Sequence, residues 1–390
     1  MPPADPTLLA RARAAAETIA PLAAEGEAAR RLPRAAVDAL ARAGVFKLLV
    51  PRAYGGAEAS ASTLVAVIEA IATADGSAGW CAMIGASSGL MSVHLDDALA
   101  REVFGGDDAV TCGVFAPMGR ATATADGAGY RVSGRWPFAS GCQHSPWRMG
   151  GAIVVDAQGA PSELLPTGTP DVRSVLFRAD ETTVVETWDV SGLRGTGSHD
   201  LAVTDVMVPA ARTFSLLTGR PRHDGAVYRL PFFGVLAAGV AAVTIGLATA
   251  AVDALSKLAR TKHPLGARRG LAHRELVQLQ VVQAEAKTRA ARAFLREALE
   301  EVELAAAAGE VSLQSRATLR IAAAHAAREC AAAVDLAYHA GGATSIYAKH
   351  PLQRHFRDVH VATQHVMVGD VSAILAGRVR LGVESDVTTL

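Results

Sequence analysis

The hydrophobic period of this 390-residue chain changes twice, and the order of those changes restricts the fold more than any single motif does. Up to about residue 108, apolar positions recur at helical spacing through residues 8–24, 35–49 and 64–74. Pro51 and the Gly55-Gly56 pair punctuate them. Between 111 and about 209 the period falls to two, so Tyr130-Arg131-Val132, Ala152-Ile153-Val154-Val155, Val175-Leu176-Phe177 and Leu201-Ala202-Val203 read as strands, with Asp126-Gly127 as a turn. From about 232 the helical period returns and persists. Residues 276–304 and 313–339 read as long amphipathic helices that stop near Gly309 and at Gly341-Gly342, and Pro351 suits the first turn of another. Helices, then sheet, then helices, without βαβ alternation, predict an α+β chain rather than a doubly wound dinucleotide fold.

Half of the residues are hydrophobic, enough for two or three packed units with a large core. The 38 basic and 38 acidic side chains cancel, so no overall field draws the chain to nucleic acid or an anionic membrane, and a small-molecule partner is expected. Cys81, Cys112, Cys142 and Cys330 lie far apart without the spacing of a zinc site, which predicts free thiols in a reducing cytoplasm and no metal. The first 24 residues lack the unbroken apolar centre of a signal peptide. Residues 232–251 are long enough to span a bilayer, but they contain Thr244, Thr249 and three glycines and run on into an amphipathic helix, so no span is expected.

Three stretches concentrate functional side chains. In Trp136-Pro137-Phe138-Ala139-Ser140-Gly141-Cys142-Gln143-His144-Ser145-Pro146-Trp147, two indoles, a hydroxyl and an imidazole make either the wall for a flat ring or a β-domain corner with two buried tryptophans. Gly192-Leu193-Arg194-Gly195-Thr196-Gly197-Ser198-His199-Asp200 brings backbone N–H groups and a fixed charge together, as an anion site or simply as a tight loop into the next strand. Arg354, Asp358 and His365, at helical spacings of four and seven, present a cation, a carboxylate and an imidazole on one helix face, for which a solvated, salt-bridged surface is the plain alternative. No GxSxG elbow or GxGxxG fingerprint accompanies them.

In this order the segments resemble the acyl-CoA dehydrogenase superfamily over essentially the whole chain. Pro51-Arg52-Ala53-Tyr54-Gly55-Gly56 is similar to its P-x-x-Y-G-G stretch, Gly76-Ser77-Ala78-Gly79-Trp80 to the helix beside the flavin, and residues 192–197 with Val206-Met207-Val208-Pro209 to its G-x-R-G-T/S and V-x-V-P segments. Within it, Trp136-x-Phe138-x-Ser140-Gly141-Cys142-x-His144-x-x-Trp147, Ala116-Pro117-Met118-Gly119 upstream, and Arg357-Asp358 and His365 downstream resemble the flavin-dependent monooxygenase branch, the oxygenases of the p-hydroxyphenylacetate hydroxylase kind. The resemblance implies an N-terminal helical domain (1–108), a middle β-barrel-like domain (109–225) and a C-terminal four-helix bundle (226–390), pairing into a homotetramer that buries much of residues 232–251.

It also implies an oxygenase component that takes reduced flavin, FMNH2 or FADH2, from a separate NAD(P)H-dependent flavin reductase. With O2 and through a C4a-hydroperoxide, it would hydroxylate a small aromatic or polyketide-like substrate. Ser140 matches the hydroxyl partner of flavin N5, and His365 the histidine near flavin and substrate. Trp80, Ala116, Met118, Trp136, Pro137, Phe138 and Gly141 would sit against the isoalloxazine, while Arg260 and the turn with Gly342 and Ala343 would approach the phosphate. Asp358 would orient its helix through Arg354. His144 is the candidate on the substrate side together with Ser88, which stands where some aromatic hydroxylases carry a substrate-contacting histidine. A dehydrogenase commonly places its catalytic glutamate eight residues after the aspartate matched by Asp358; here that residue is Val366, so removal of an α-proton lacks its usual base. An FAD-dependent acyl-CoA dehydrogenase, an N-oxygenase acting on an amino group and a non-catalytic ligand-binding protein are the competing readings.

Overall fold

Capping chemistry explains where the first helices begin. The computed structural model describes residues 4–107, 109–165 and 168–390. Asp5 accepts from the backbone N–H groups of Thr7 and Leu8 ahead of α1 (Pro6–Ile19), which has proline in its first turn. After α2 (Ala23–Ala29) and α3 (Arg34–Arg42), Ser60 caps α4 (Ala61–Ala74) through Thr63 N, and Asp75 caps α5 (Gly76–Ser88) through Ala78 N at 2.8 Å. α6 (Asp97–Phe104) closes the helical region. α5 is buried along almost its whole length, and it fits because it is built of small residues: a Cβ on Gly79 would lie 2.5 Å from Ala72, and one on Gly85 2.5 Å from Phe46.

The strands are β1 (Thr111–Ala123), β2 (Gly129–Trp136), β3 (Trp147–Val155), β4 (Val172–Arg178), β5 (Thr183–Val185), β6 (Asp200–Pro209) and β7 (Thr213–Ser215). They form one sheet in the order β5-β6-β2-β1-β3-β4-β7, antiparallel except where β1 runs parallel to β3. Asp126-Gly127 turns β1 into β2, with Gly127 at φ 70° and Asp126 Oδ1 accepting from Thr124 Oγ1 and Ala128 N. Between Val114 and Gly119 the register of β1 against β3 breaks, and Ala116, Pro117 and Met118 bulge into the open.

The C-terminal helices are α7 (Phe232–Thr261), α8 (Glu275–Ala308), α9 (Leu313–Gly341), α10 (Pro351–Ala362) and α11 (Asp370–Arg380). α7 is the axis of this domain, packed by α4, α5, α8, α9 and α10. It is long and apolar enough to cross a membrane, but 94% of its most hydrophobic window is buried inside the chain itself. The expectation that subunit pairing covers residues 232–251 is therefore corrected: one chain buries that surface alone. Gly309 (φ 122°) and Gly342 (φ 58°) end α8 and α9, and Pro351 opens α10. A second correction follows from the end of α10 at Ala362: His365 lies in the turn beyond it, so Asp358 and His365 do not share a helix face.

Candidate active site

Three separate elements bring Trp80, Ser140 and His365 together. Trp80, on the inner helix α5, donates its indole N–H to Ser140 Oγ at 3.0 Å. The edge of the same indole meets the His365 ring, with centroids 5.5 Å apart and planes at 69°. Ser140 Oγ is also 2.7 Å from Ser198 Oγ, which is 2.7 Å from Thr196 Oγ1, and Thr196 Oγ1 donates to the Leu193 carbonyl at 2.8 Å.

The loop after β2 holds Ser140 in place through the 193–199 loop. Ala139 N donates to His199 O and Gly141 N to Thr196 O, and the Cys81 and Cys142 thiols reach Thr196 O and Gly197 O. This lacing enforces φ +65° at Phe138, a conformation that costs a bulky residue about 1–3 kcal/mol. As a result the Phe138 ring points outward, 68% exposed, and meets the Trp188 ring edge to face. Ala116 and Met118, on the bulge of β1, are exposed as well.

His365 Nδ1 accepts the Met367 backbone N–H, which places the ring proton on Nε2. Burial, aided by the nearby Arg320 guanidinium, pushes its pKa down to about 4, so the ring is neutral and Nε2–H is a donor. Arg320 is itself buried among neutral acceptors, Phe233 O, Ser372 Oγ, Thr389 O and Met367 Sδ.

Several sequence expectations change. Trp136 offers no wall to a ring: its indole is fully buried, donates to Gly151 O at 2.8 Å and fills a space bounded by Gly119, Gly134 and Gly150, where any Cβ would lie within 2.7 Å of it. Of the two readings of that stretch, the corner with two buried tryptophans holds for Trp136 and Trp147, while Phe138 stands exposed and Ser140 is buried against Trp80 and Ser198. Arg194 is not free for an anion, because it bonds Asp189 and the Val190 carbonyl within its own loop. Asp358 is neither solvated nor bonded to Arg354. It is buried, with a pKa raised to about 7 by desolvation, and its Oδ1 accepts from Leu193 N at 2.6 Å, so it anchors the 193–199 loop to α10. The neighbouring Arg357 grips the Ser191 carbonyl and Glu27.

The remaining candidates stand apart from this cluster. Ser88 is buried in the last turn of α5 and donates to Ile84 O on its own helix. His144 lies against Gly141 with its pKa lowered to about 4 by burial and by Arg34 and Arg148. Pro137 is half-buried, and Arg260 is exposed in the last turn of α7. Lys262, two residues on, donates to Gly341 O beside exposed Gly342 and Ala343. Thr196 and Ser198 lie in the glycine-rich stretch that the sequence singles out, but they carried no role there, because a hydroxyl in a loop has no periodicity; nothing in the sequence around Lys262 marked it.

Residues 7–98 match the family described as "Acyl-CoA dehydrogenase, N-terminal domain", and residues 238–369 match "Acyl-CoA dehydrogenase, C-terminal domain". An indole-3-acetate monooxygenase of Pseudomonas putida is 35% identical, over 90% of this chain and 88% of that protein. The oxygenase component of an FADH(2)-dependent resorcinol hydroxylase of a Rhizobium species is 30% identical, over 97% and 94%. Among solved structures, XiaF from a Streptomyces species, in complex with FADH2 and glycerol, superposes with a TM-score of 0.90 at 28% identity, covering 98% of this chain and 97% of that one.

Proposed function

The chain belongs to the acyl-CoA dehydrogenase family, in its flavin-dependent monooxygenase branch, and from that premise we propose that it is an oxygenase component that hydroxylates a small aromatic molecule. The reaction balances as reduced flavin, O2 and substrate C–H giving oxidised flavin, water and substrate C–OH. In this reading a separate NAD(P)H-dependent reductase supplies the electrons; the name of the resorcinol hydroxylase relative, an oxygenase component, implies a second component for that protein. Reduced flavin supplies the oxygen activation when bound, and either FMN or FAD serves that chemistry.

One observation carries the reading: an indole, a hydroxyl and a neutral imidazole from three elements meet beside an exposed, backbone-strained phenylalanine. The residues fit a flavin. Phe138, Met118 and Ala116 offer an apolar face, Ser140 Oγ a polar atom for N5, and Lys262 with Gly342 and Ala343 a basic turn for phosphate. His365 acts through Nε2–H as a hydrogen-bond donor to an oxygen of the substrate or of the oxidant, since its Nδ1 is engaged by Met367. Val366, exposed at the position of the dehydrogenase glutamate, offers no base for the dehydrogenase alternative.

The exposed apolar residues Leu276, Leu279 and Val282 follow one another at helical spacing on α8 and suit a second copy of the chain, in keeping with a homotetramer. The buried free thiols accord with a cytoplasmic enzyme.

The test is to bind FMNH2 or FADH2 anaerobically, add phenols and aryl acetates, indole-3-acetate among them, and admit isotopically labelled O2. The expected product carries one labelled oxygen atom. Failure of both reduced flavins to bind, or quantitative hydrogen peroxide with every aromatic, rejects the reading.

A further inference from the structure

The hydroxyl chain behind Ser140 has a polarity set at its far end. The Leu193 carbonyl can only accept, and it takes hydrogens from Thr196 Oγ1 at 2.8 Å and from Trp188 Nε1 at 3.1 Å. Thr196 has thereby used its single hydroxyl hydrogen, so in its 2.7 Å contact with Ser198 it accepts and Ser198 donates. Ser198 then has none left for Ser140, so across their 2.7 Å contact Ser140 donates. On its other side Ser140 faces the Trp80 indole N–H, which can only donate. Ser140 Oγ therefore gives its hydrogen to the protein, receives one from it, and keeps one lone pair. Thr196 and Ser198, which set the direction, are 1% and 3% exposed, so bulk water offers them no alternative partner that would reverse the chain. Asp358, through Leu193 N, anchors the residue whose carbonyl ends the chain.

We propose that Ser198 and Thr196 are positioning residues that make Ser140 a one-way acceptor and thereby make the flavin site selective for the redox state of its ligand. The inference rests on the assignment of Ser140 to flavin N5 in the preceding reading. Reduced flavin carries a hydrogen on N5, whereas oxidised flavin presents a lone pair there. A hydroxyl that offers only a lone pair matches the reduced form and sets lone pair against lone pair with the oxidised form. Such a site takes reduced flavin from solution and lets the spent cofactor go, which an enzyme fed by a separate reductase requires. Cutting the chain frees the Ser140 hydrogen to turn outward, and Ser140 then serves either form.

Dissociation constants for reduced flavin, measured anaerobically, and for oxidised flavin, measured by fluorescence titration, test this in the intact chain. Wild type is expected to bind the reduced form more tightly. Ser198→Ala and Thr196→Val should each shrink the oxidised-to-reduced ratio by roughly five- to tenfold, the size of one neutral hydrogen bond. Most of that change should come from tighter binding of oxidised flavin, and Thr196→Ser, which keeps the hydroxyl, should restore the wild-type ratio. A ratio unchanged in both variants, or equal weakening of both redox forms, overturns the proposal. If Ser198→Ala does not fold, the comparison of Thr196→Val with Thr196→Ser decides it alone. Wild type that binds neither form takes down the functional reading itself, and this proposal with it.

Discussion

The Trp80 indole N–H donates to Ser140 Oγ across 3.0 Å and sixty residues of sequence, so one hydrogen bond fastens the innermost helix of the N-terminal region to the loop after β2. Trp80→Phe keeps a ring against His365 and removes the donor. It should cost about 1 kcal/mol in chemical denaturation. With Ser140→Ala, a double-mutant cycle should return a coupling of about the same size. Additive effects would mean that the contact contributes nothing in solution.

Ser140 and His365 should fail in different ways. Ser140→Ala leaves N5 without its partner, so a larger fraction of the reduced flavin consumed should appear as hydrogen peroxide. His365→Ala deletes the Nε2–H donor and should lower hydroxylated product per flavin oxidised by about tenfold, the equivalent of roughly 1.4 kcal/mol. Quantifying product and peroxide in the same reaction separates the two; unchanged yields in both variants would remove these assignments.

Asp358 is buried for the sake of Leu193 N, not of a charge partner. Asp358→Ala leaves that N–H unpaired and should destabilise the protein by about 1–3 kcal/mol. Asp358→Asn retains an accepting oxygen and should lose less than half as much. Equal losses in the two variants would contradict the anchoring role. Limited proteolysis should show the 193–199 loop opening first in the alanine variant.

His355, 6% exposed on α10, has a pKa lowered to about 3 by burial, with Arg354 and His350 adding to it. Its ordinary value is 6.5. Between those values the unfolded chain takes up a proton that the folded one refuses, so this group's contribution is complete above pH 6.5 and is lost as pH falls toward 3. Asp75 and Asp358, both raised by burial, act in the opposite sense over the acid range. His355→Leu should therefore reduce the rise of unfolding free energy with pH, measured from about pH 4 to 6, by up to about 1.4 kcal/mol per pH unit. An unchanged slope would show that His355 titrates normally in the folded protein.

The order of layers and the helix ends were legible in the chain because they depend on near neighbours. Asp126-Gly127, Gly309, Gly342 and Pro351 act through backbone conformation and hydrogen bonds within a few residues, and the switch of hydrophobic period is a local pattern. The motif around Ser140 was legible for a different reason: it resembles a family pattern as a string of residue types, readable without knowing where each side chain points.

Orientation was decided by packing. Trp136 and Phe138 are two residues apart, yet one fills the sheet interior and the other stands in the open, because three glycines make room for the first and a left-handed backbone turns out the second. Asp358 looked like part of a charged surface until Leu193, 165 residues away, was set against it. The hydroxyl chain from Ser140 to Leu193 has a direction only because Trp80 closes one end and a carbonyl the other. Sequence encodes what a residue can donate or accept; which partner it meets depends on contacts between distant segments, and only the folded chain creates those.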